Sequence, residues 1–200
     1  MGALLRVRAV YPTIQGEGVL AGTPMVIVRT QGCSVGCGWC DTKETWNPHR
    51  GTAYSPGSLV DSVRGMATGH RWVLLTGGEP VQQDCEDHIA ALQAAGYSVA
   101  LETSGNGDFI PSNCSWFCLS PKHKPFADKC RDFADEVKFI ISSEEDVASA
   151  VSMMEAGWAK ASPSLQPVWE STAALAVCIN ACQRLGWRLS VQTHKYLGVR

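Results

Sequence analysis

The sequence predicts an α/β fold, an open, partial β/α barrel with a shortened core. Short extended segments alternate with helical ones over most of the chain, and the extended segments are apolar on both faces, as in a parallel sheet that helices cover. A closed eight-stranded β/α barrel typically needs about 250 residues, whereas this chain has 200. A doubly wound sheet shows the same alternation, so the choice between the two depends on the motifs described below.

Eight extended runs, several of them rich in Val, Ile and Leu, are predicted to form strands. They are Leu4 to Val10, Met25 to Thr30, Trp72 to Thr76, Ser98 to Glu102, Trp116 to Ser120, Glu136 to Ile141, Lys160 to Ser164 and Arg188 to Gln192. Four segments are predicted to form helices, namely Ser58 to Thr68, Asp84 to Ala95, Glu144 to Ala156 and Ser171 to Leu185. Ser143 precedes three acidic residues, so the third helix has an N-cap and a favourable first turn.

The composition is typical of one compact domain that spans residues 1–200. Hydrophobic residues make up 45% of the chain, and its net charge of -2 gives no overall field toward nucleic acid or anionic lipid. The longest nearly unbroken apolar run, 173–179, is far shorter than the roughly 20 residues of a membrane span. Arg6 and Arg8 break any signal-peptide core at the N-terminus. We therefore expect a cytoplasmic protein that binds neither nucleic acid nor membrane.

Three of the nine cysteines form a tight cluster directly after the second predicted strand. Cys33, Cys37 and Cys40 have the spacing CxxxCxxC, and the glycines between them let the backbone wrap closely around a metal centre. Three thiolates on a four-iron cube leave one iron without a protein ligand, and that iron can bind a substrate or cofactor. The alternative is structural zinc, which needs a fourth ligand. One of four distant cysteines can supply it: Cys85, Cys114, Cys118 or Cys130.

The remaining cysteine spacings favour packing over chemistry. Cys178 and Cys182 are four residues apart on a predicted helix, and Cys114 and Cys118 have the same spacing. Buried cysteine behaves as a small hydrophobic residue, so both pairs are expected in the core. An auxiliary cluster is the alternative.

Several polar motifs follow predicted strands, where β/α folds place their ligands. Thr76 to Pro80 reads TGGEP; its glycines allow close backbone approach, and Glu79 can accept a hydrogen bond from an ammonium group. Glu102 to Gly107 and Ser120 to Lys122 end the next two strands and are expected at the same mouth. Arg29 ends a largely apolar strand, a position that indicates either an anionic ligand or a salt bridge at the rim.

The CxxxCxxC motif with Trp39 before its last cysteine resembles the signature of the radical S-adenosylmethionine enzymes. This resemblance implies an open barrel of the type found in that superfamily. It implies a 4Fe-4S cluster on Cys33, Cys37 and Cys40, with S-adenosylmethionine chelating the open iron and yielding a 5′-deoxyadenosyl radical. TGGEP resembles the motif that binds the amino group of S-adenosylmethionine in these enzymes.

A longer series of motifs is similar to those of one family in the superfamily, the 7-carboxy-7-deazaguanine synthases. In chain order these motifs are IQGEG, Arg29, CDT, TGGEP, ETSG, SPK, VKF, LQP and QTHKY, which run from residue 11 almost to the C-terminus. The family's reaction is a radical ring contraction of 6-carboxy-5,6,7,8-tetrahydropterin to 7-carboxy-7-deazaguanine and ammonia, in queuosine and 7-deazapurine biosynthesis. The resemblance therefore implies a pterin substrate, a magnesium ion, an electron donor such as flavodoxin or ferredoxin, and a homodimer.

The resemblance to the family motifs also implies which residues of this sequence form the site. The implied cofactor contacts are Gly38, Trp39, Gly78, Glu79, Glu102, Ser104, Ser120, Pro121, Lys122 and Gln166. The implied substrate contacts are Ile14, Gln15, Gly16, Glu17, Arg29, Thr76, His194 and Arg200. Thr42 matches the magnesium ligand, although a helix cap is an alternative role for its hydroxyl. For His194 the alternative to a substrate contact is a structural hydrogen bond.

Two other functions are compatible with parts of the sequence. A radical S-adenosylmethionine activase, which acts on a partner protein, shares the cysteine spacing but does not account for the segments around Gln15 and His194. A non-catalytic zinc or iron-sulfur module accounts for the cysteines alone. Lys43 to Ser55 has little helical pattern where a helix often follows the cluster in the superfamily, and this loss is expected to open a dimer surface.

Overall fold

The computed structural model describes residues 3–66, 69–123, 125–158 and 160–199. Nine strands are found in this part of the chain: β1 (Leu5–Ile14), β2 (Pro24–Thr30), β3 (Thr52–Tyr54), β4 (Trp72–Thr76), β5 (Ser98–Thr103), β6 (Trp116–Leu119), β7 (Glu136–Ile141), β8 (Ser162–Pro167) and β9 (Arg188–Leu189). The helices are α1 (Pro56–Met66), α2 (Glu86–Ala94), α3 (Cys130–Phe133), α4 (Glu144–Glu155), α5 (Thr172–Leu185) and α6 (Thr193–Leu197).

All nine strands join one sheet, in the order β3-β1-β2-β4-β5-β6-β7-β8-β9. Strand β1 is antiparallel to both of its neighbours, and every later pair from β2 to β9 is parallel. Within the described residues the two edge strands, β3 and β9, do not pair with each other, so the sheet stays open. The predicted open β/α barrel is confirmed.

The two faces of the parallel sheet have different chemistry because side chains alternate along each strand. The outer rows, such as Val73 and Leu75 of β4, belong to the main hydrophobic core, which also includes buried residues of the helices. The inner rows are apolar at the start of the strands, where Met25, Ile27 and Leu74 form a second small cluster. The same inner rows become polar toward the carboxyl ends of the strands. The inner face of the sheet therefore forms a cavity with polar walls above an apolar floor.

The boundaries of several elements differ from the predicted ones. Strand β1 continues to Ile14, and β8 lies further along the chain than predicted, so that Gln166 is inside it. Strand β9 has only two residues, and the short helix α6 follows where the chain was expected to leave the sheet. Strand β3 and helix α3 were not predicted. The predicted end of the first helix, Thr68, lies outside the described residues.

Local sequence signals explain the ends of the longer helices. The Asp146 carboxylate accepts a hydrogen bond from the backbone N–H of Ser143 at 3.1 Å, so the N-terminus of α4 is capped as predicted. Helix α5 ends at Gly186, which adopts the left-handed conformation with φ 69°. Between Cys40 and α1 the chain forms only one 3₁₀ turn and β3, in line with the missing helical pattern there. No helix among the described residues is long and apolar enough to span a membrane.

Candidate active site

A cavity of about 620 Å³ opens at the carboxyl ends of the parallel strands. This volume is within the range of about 300–1,000 Å³ that is usual for small-molecule sites. Several segments close around it: the cysteine loop, the β1–β2 loop, the turns after β4, β5 and β6, residues 166–169 at the end of β8, and the C-terminal segment around His194. The position matches the edge at which β/α folds bind their ligands.

The cysteine loop contributes all three of its thiols to the cavity wall. Cys33, Cys37 and Cys40 line the cavity, whereas none of the other six cysteines does. The backbone N–H of Cys40 donates to the Cys37 carbonyl at 3.2 Å, which makes a tight turn between the last two thiols. No cysteine is in a disulfide. Burial raises the pKa of the Cys33 and Cys37 thiols.

This donor set fits a four-iron cluster better than a structural zinc ion. The three thiols line one cavity, and among the described residues no three His, Cys, Asp or Glu side chains are grouped to hold a single ion. A zinc ion needs four ligands at about 2.0–2.3 Å from one centre. On a four-iron cube each thiolate binds a different iron, so three separated thiols are suitable and one iron keeps an open position.

The TGGEP turn after β4 is packed directly on the cysteine loop. The backbone N–H of Gly78 donates to the Thr30 carbonyl at 3.0 Å, and that of Glu79 donates to the Gly32 carbonyl at 2.8 Å. A Cβ atom on Gly78 would lie under 3.0 Å from the Gly32 carbonyl oxygen. One side of this glycine therefore faces the cavity, while the other permits the close approach of two backbones.

The Glu79 carboxylate is fixed at the cavity wall close to the cysteine loop. It accepts hydrogen bonds from the hydroxyls of Thr103 and Ser104 and from the Ser104 backbone N–H, the last at 2.9 Å. Burial raises the pKa of Glu79, and these hydrogen bonds partly oppose that effect. The TGGEP and ETSG motifs thus form one unit that orients a carboxylate acceptor toward the cavity.

Arg29 supplies a cationic group that has no carboxylate partner among the described residues. It lies at the end of β2, and its Nε and Nη2 atoms donate to the Tyr11 hydroxyl at 3.1 and 2.8 Å. None of the ion pairs in the described ranges includes Arg29. The rim salt bridge that the sequence left open is thus not formed in this part of the chain, and the guanidinium at the cavity wall can bind an anionic ligand.

A buried ion-pair network crosses the opposite wall of the cavity. Lys138 on β7 pairs with Glu17 and, at 3.4 Å, with Glu102. Gln15 donates to Glu102 at 2.9 Å, and Gln192 donates to Glu17 at 2.8 Å. Burial tends to raise the pKa of Glu17, but Lys138 and the hydrogen bonds outweigh it and lower that pKa to about 2. Burial raises the pKa of Glu102, and Lys138 only partly compensates.

The C-terminal segment closes the cavity between the β1–β2 loop and the cysteine loop. The Thr193 N–H donates to the Gly16 carbonyl at 3.0 Å, and a Cβ atom on Gly16 would collide with His194. Lys195 pairs with Asp41 at 2.9 Å and lies 4.7 Å from the ring centre of Trp169. Burial lowers the pKa of His194, so its neutral form is favoured at neutral pH.

The structure brings nearly the whole predicted site together. The predicted site residues that line the cavity are Ile14, Gln15, Gly16, Glu17, Arg29, Cys33, Cys37, Gly38, Trp39, Cys40, Thr42, Thr76, Gly78, Glu79, Glu102, Ser104, Ser120, Lys122, Gln166 and His194. Pro121 does not line it, and Arg200 lies outside the described residues. Glu102 was grouped with the cofactor contacts, yet its hydrogen-bond and ion-pair partners are Gln15 and Lys138.

Sequence reasoning assigned no role to several residues of this cavity. Asp41, Thr103, Lys138, Gln192 and Lys195 all line it. Lys138 had a usable signal, because a lysine within an otherwise apolar buried strand needs a compensating partner. The other four lie within the family motifs CDT, ETSG and QTHKY, but neither their residue types nor their spacing assigned them a task in the site.

Comparisons with known proteins agree with this geometry. The family model described as "4Fe-4S single cluster domain" matches residues 14–146. The 7-carboxy-7-deazaguanine synthase of Synechocystis sp. is 38% identical, over 95% of this chain and 91% of the relative. The Escherichia coli K12 protein of the same name is 31% identical, over 96% of this chain and 98% of the relative. The crystal structure of QueE from Escherichia coli superposes with a TM-score of 0.85, at 27% identity and 94% coverage of both chains.

The open barrel, the three-thiol loop and the cluster-domain match define a radical S-adenosylmethionine enzyme. Such an enzyme holds a 4Fe-4S cluster and uses S-adenosylmethionine. More narrowly, the chain belongs to the 7-carboxy-7-deazaguanine synthase family, a group of radical lyases. The prediction made from the order of the short motifs is confirmed.

Proposed function

We propose that this enzyme converts 6-carboxy-5,6,7,8-tetrahydropterin to 7-carboxy-7-deazaguanine and ammonia. The observation that carries the proposal is the distribution of groups around one cavity. Three thiols and the Glu79 carboxylate lie at one side, while Arg29 and the Glu17–Lys138–Glu102 network lie elsewhere on the wall. One cavity can therefore hold a cluster-bound cofactor and a carboxylated nitrogen heterocycle next to each other.

The residues of this chain have separable tasks in the proposed reaction. When bound, the cluster and S-adenosylmethionine supply a carbon radical that removes the hydrogen at C6 of the pterin. Glu79 accepts the amino group of the cofactor, and Arg29 binds the substrate carboxylate by charge-assisted hydrogen bonds. Thr76 lines the cavity at the end of β4, and we assign it a position between the cofactor and the substrate. The apolar floor formed by Ile27 and Leu74 packs on the flat ring system.

The test is anaerobic reconstitution with iron and sulfide, followed by reduction in the presence of S-adenosylmethionine, Mg²⁺ and the tetrahydropterin. Mass analysis should find a product lighter than the substrate by one ammonia. Formation of 5′-deoxyadenosine without this product would keep the radical chemistry and reject the substrate. Zinc at one equivalent and no visible absorption would favour the non-catalytic module instead.

Arg29→Ala is expected to weaken substrate binding and leave the cluster intact. A hydrogen bond to a charged group contributes about 1.5–3 kcal/mol, so KM for the tetrahydropterin should rise about tenfold to a hundredfold. Initial rates against substrate concentration give KM, and iron content reports the cluster. Arg8→Ala removes an exposed arginine that does not line the cavity and should keep wild-type KM. An unchanged KM in Arg29→Ala would show that the carboxylate binds elsewhere.

Thr42 is the proposed protein ligand of a magnesium ion. It stands at the start of the 3₁₀ turn, where its side chain makes no capping hydrogen bond, so the capping role is not used. Its hydroxyl faces the cavity wall 3.6 Å from the Cys40 sulfur. Mg²⁺ prefers oxygen ligands and retains waters, so one hydroxyl together with the substrate carboxylate is a suitable ligand set.

Thr42→Ala should therefore raise the Mg²⁺ concentration needed for half-maximal turnover, by about tenfold, because one oxygen ligand is lost. Thr42→Ser keeps the hydroxyl and should restore the wild-type dependence. Turnover measured against Mg²⁺ concentration at saturating substrate distinguishes the two variants. If the alanine and serine variants need the same Mg²⁺ concentration, the ion has no bond to this side chain.

We further propose a flavodoxin or ferredoxin as electron donor and a homodimer as the assembled form. The short segment between the cysteine loop and α1 leaves the basic residues Lys43, His49 and Arg50 exposed. Turnover with a reduced flavodoxin in place of a chemical reductant tests the donor. X-ray scattering tests the assembly, and a monomer at micromolar concentration would count against the dimer.

A further inference from the structure

Lys138 has an unusual position for a lysine. It lies in the middle of β7, its side chain is only 3% exposed, and its ammonium group lies at the cavity wall. Its neighbours on the outer face of the strand, Val137 and Phe139, belong to the main core. A lysine costs free energy to bury unless its charge is compensated, so the groups around its ammonium determine what it does.

The groups that face Lys138 come from every element around it. Glu17 from the β1–β2 loop and Glu102 from β5 are its ion-pair partners. Cys118 on β6, Lys122 after β6 and His194 of the C-terminal segment also interact with it electrostatically. Glu136 lies two residues earlier on β7, but its carboxylate accepts from the Ser164 hydroxyl at 2.7 Å and from the Val19 N–H at 3.1 Å.

The two carboxylates that share Lys138 are not equivalent. Glu17 is held on both oxygens, one by Lys138 and the other by Gln192. Glu102 has a hydrogen bond from Gln15 on one oxygen, and its other oxygen is 3.4 Å from the ammonium. Glu17 is therefore the fixed anchor of the lysine. The second oxygen of Glu102 can accept a hydrogen bond from a ligand in the cavity.

We propose that Lys138 is a positioning residue for the substrate, which keeps Glu102 ionised and directed into the cavity so that this carboxylate accepts N–H groups of the pterin ring. The inference depends on the proposed function and adds a role for a residue outside the set predicted from the sequence. The anchor through Glu17 also fixes the β1–β2 loop, which carries Gln15. The lysine thus acts on the substrate through two neighbours and does not contact the reacting atoms.

The charges around Glu102 make the effect of Lys138 on the reaction depend on pH. Burial raises the pKa of Glu102, and the negative charges of Glu17 and Glu136 act in the same direction. Lys138 is the cation that opposes them. Removal of the lysine charge should raise the pKa of Glu102 further, so the ionised carboxylate would be lost at a higher pH than in the wild type. The acid limb of kcat/KM should then move to higher pH.

The experiment compares Lys138→Met, Lys138→Arg and the wild-type holoenzyme, with Lys160→Met as an exposed control. The readouts are KM and kcat for the tetrahydropterin, the pH profile of kcat/KM, iron content, and S-adenosylmethionine affinity. Lys138→Met should raise KM about tenfold or more and shift the acid limb upward. Iron content and cofactor affinity should stay at wild-type values. Lys138→Arg should recover most of the loss, and Lys160→Met should show none.

Four outcomes would overturn the inference. One is a Lys138→Met variant with wild-type KM and pH profile; another is an equal loss in Lys138→Arg and Lys138→Met. If Lys138→Met does not fold, Glu17→Gln combined with Lys138→Met removes one of the two carboxylate charges that the lysine had paired and leaves Glu102 as the other. A wild-type KM in this double variant would reduce the lysine to a structural role. Finally, a wild-type enzyme that forms no deazaguanine product rejects the proposed function itself and the inference with it.

Discussion

Cys40→Ala is expected to abolish cluster binding and turnover. The variant loses one of only three thiols that line the cavity, and no other cysteine side chain lines the wall to replace it. The thiolate–iron bond is a large part of what holds the cluster, so iron content after reconstitution should fall to about a tenth of the wild-type value or less. Formation of 5′-deoxyadenosine should fall below detection. Iron and sulfide assays, visible absorption and product analysis measure these effects.

Cys182→Ala is the matched control for this experiment. Cys182 is half-buried on α5 and packs against the main core, away from the cavity. Its replacement should lower the free energy of unfolding by about 1 kcal/mol through lost packing, while iron content and turnover stay unchanged. A Cys40→Ala variant with full iron content would mean that the cluster uses other ligands.

Gly78→Ala should have the second largest effect. The added methyl group would overlap the Gly32 carbonyl oxygen, which is backbone and cannot turn away as a side chain can. The two loops must therefore separate, at a cost of about 1–3 kcal/mol. Their separation also moves Cys33, the residue that follows Gly32. We expect at least about a hundredfold loss of turnover together with a lower midpoint of thermal unfolding, because small misplacements of reacting groups are costly.

Gly65→Ala provides a matched substitution in open surroundings. Gly65 lies within α1, and a Cβ atom there would have no neighbour within 4 Å. Alanine should stabilise this helix position by about 0.5–1 kcal/mol, with turnover unchanged. Thermal unfolding and turnover are measured on both glycine variants. If Gly78→Ala matches Gly65→Ala in both, the close packing of TGGEP on the cysteine loop is not required.

The central strands were predictable because a parallel sheet covered by helices selects continuous apolar runs. Strands β4 and β7 match their predicted bounds, Trp72–Thr76 and Glu136–Ile141. Strand β8 was placed too early because its sequence contains Pro163 and Pro167, which lower strand propensity. Strand β3 and helices α3 and α6 have three to five residues each, too few for a period of two or 3.6 residues to be recognised.

The positions of the site residues followed from strand order, whereas their mutual contacts did not. Motifs at the ends of neighbouring parallel strands must share one edge, so Glu79, Glu102 and Ser120 were expected together. The Lys138 ion pairs depend on side-chain alternation along β7 and on a loop more than a hundred residues away. Such contacts leave no trace in a local pattern. The same holds for the pair formed by Asp41 and Lys195.

The contact between the β1–β2 loop and the segment after β9 has a consequence for biosynthesis. Gly18 and Ser190, which share a hydrogen bond, are separated by 172 positions, so this contact can form only after the chain has been synthesised beyond Ser190. Contacts between distant segments close slowly because their loop entropy must be lost first. The sheet can assemble strand by strand during synthesis, and the substrate wall is completed last. The three thiols of the cysteine loop are therefore synthesised before the contact between Gly18 and Ser190 can close this side of the cavity.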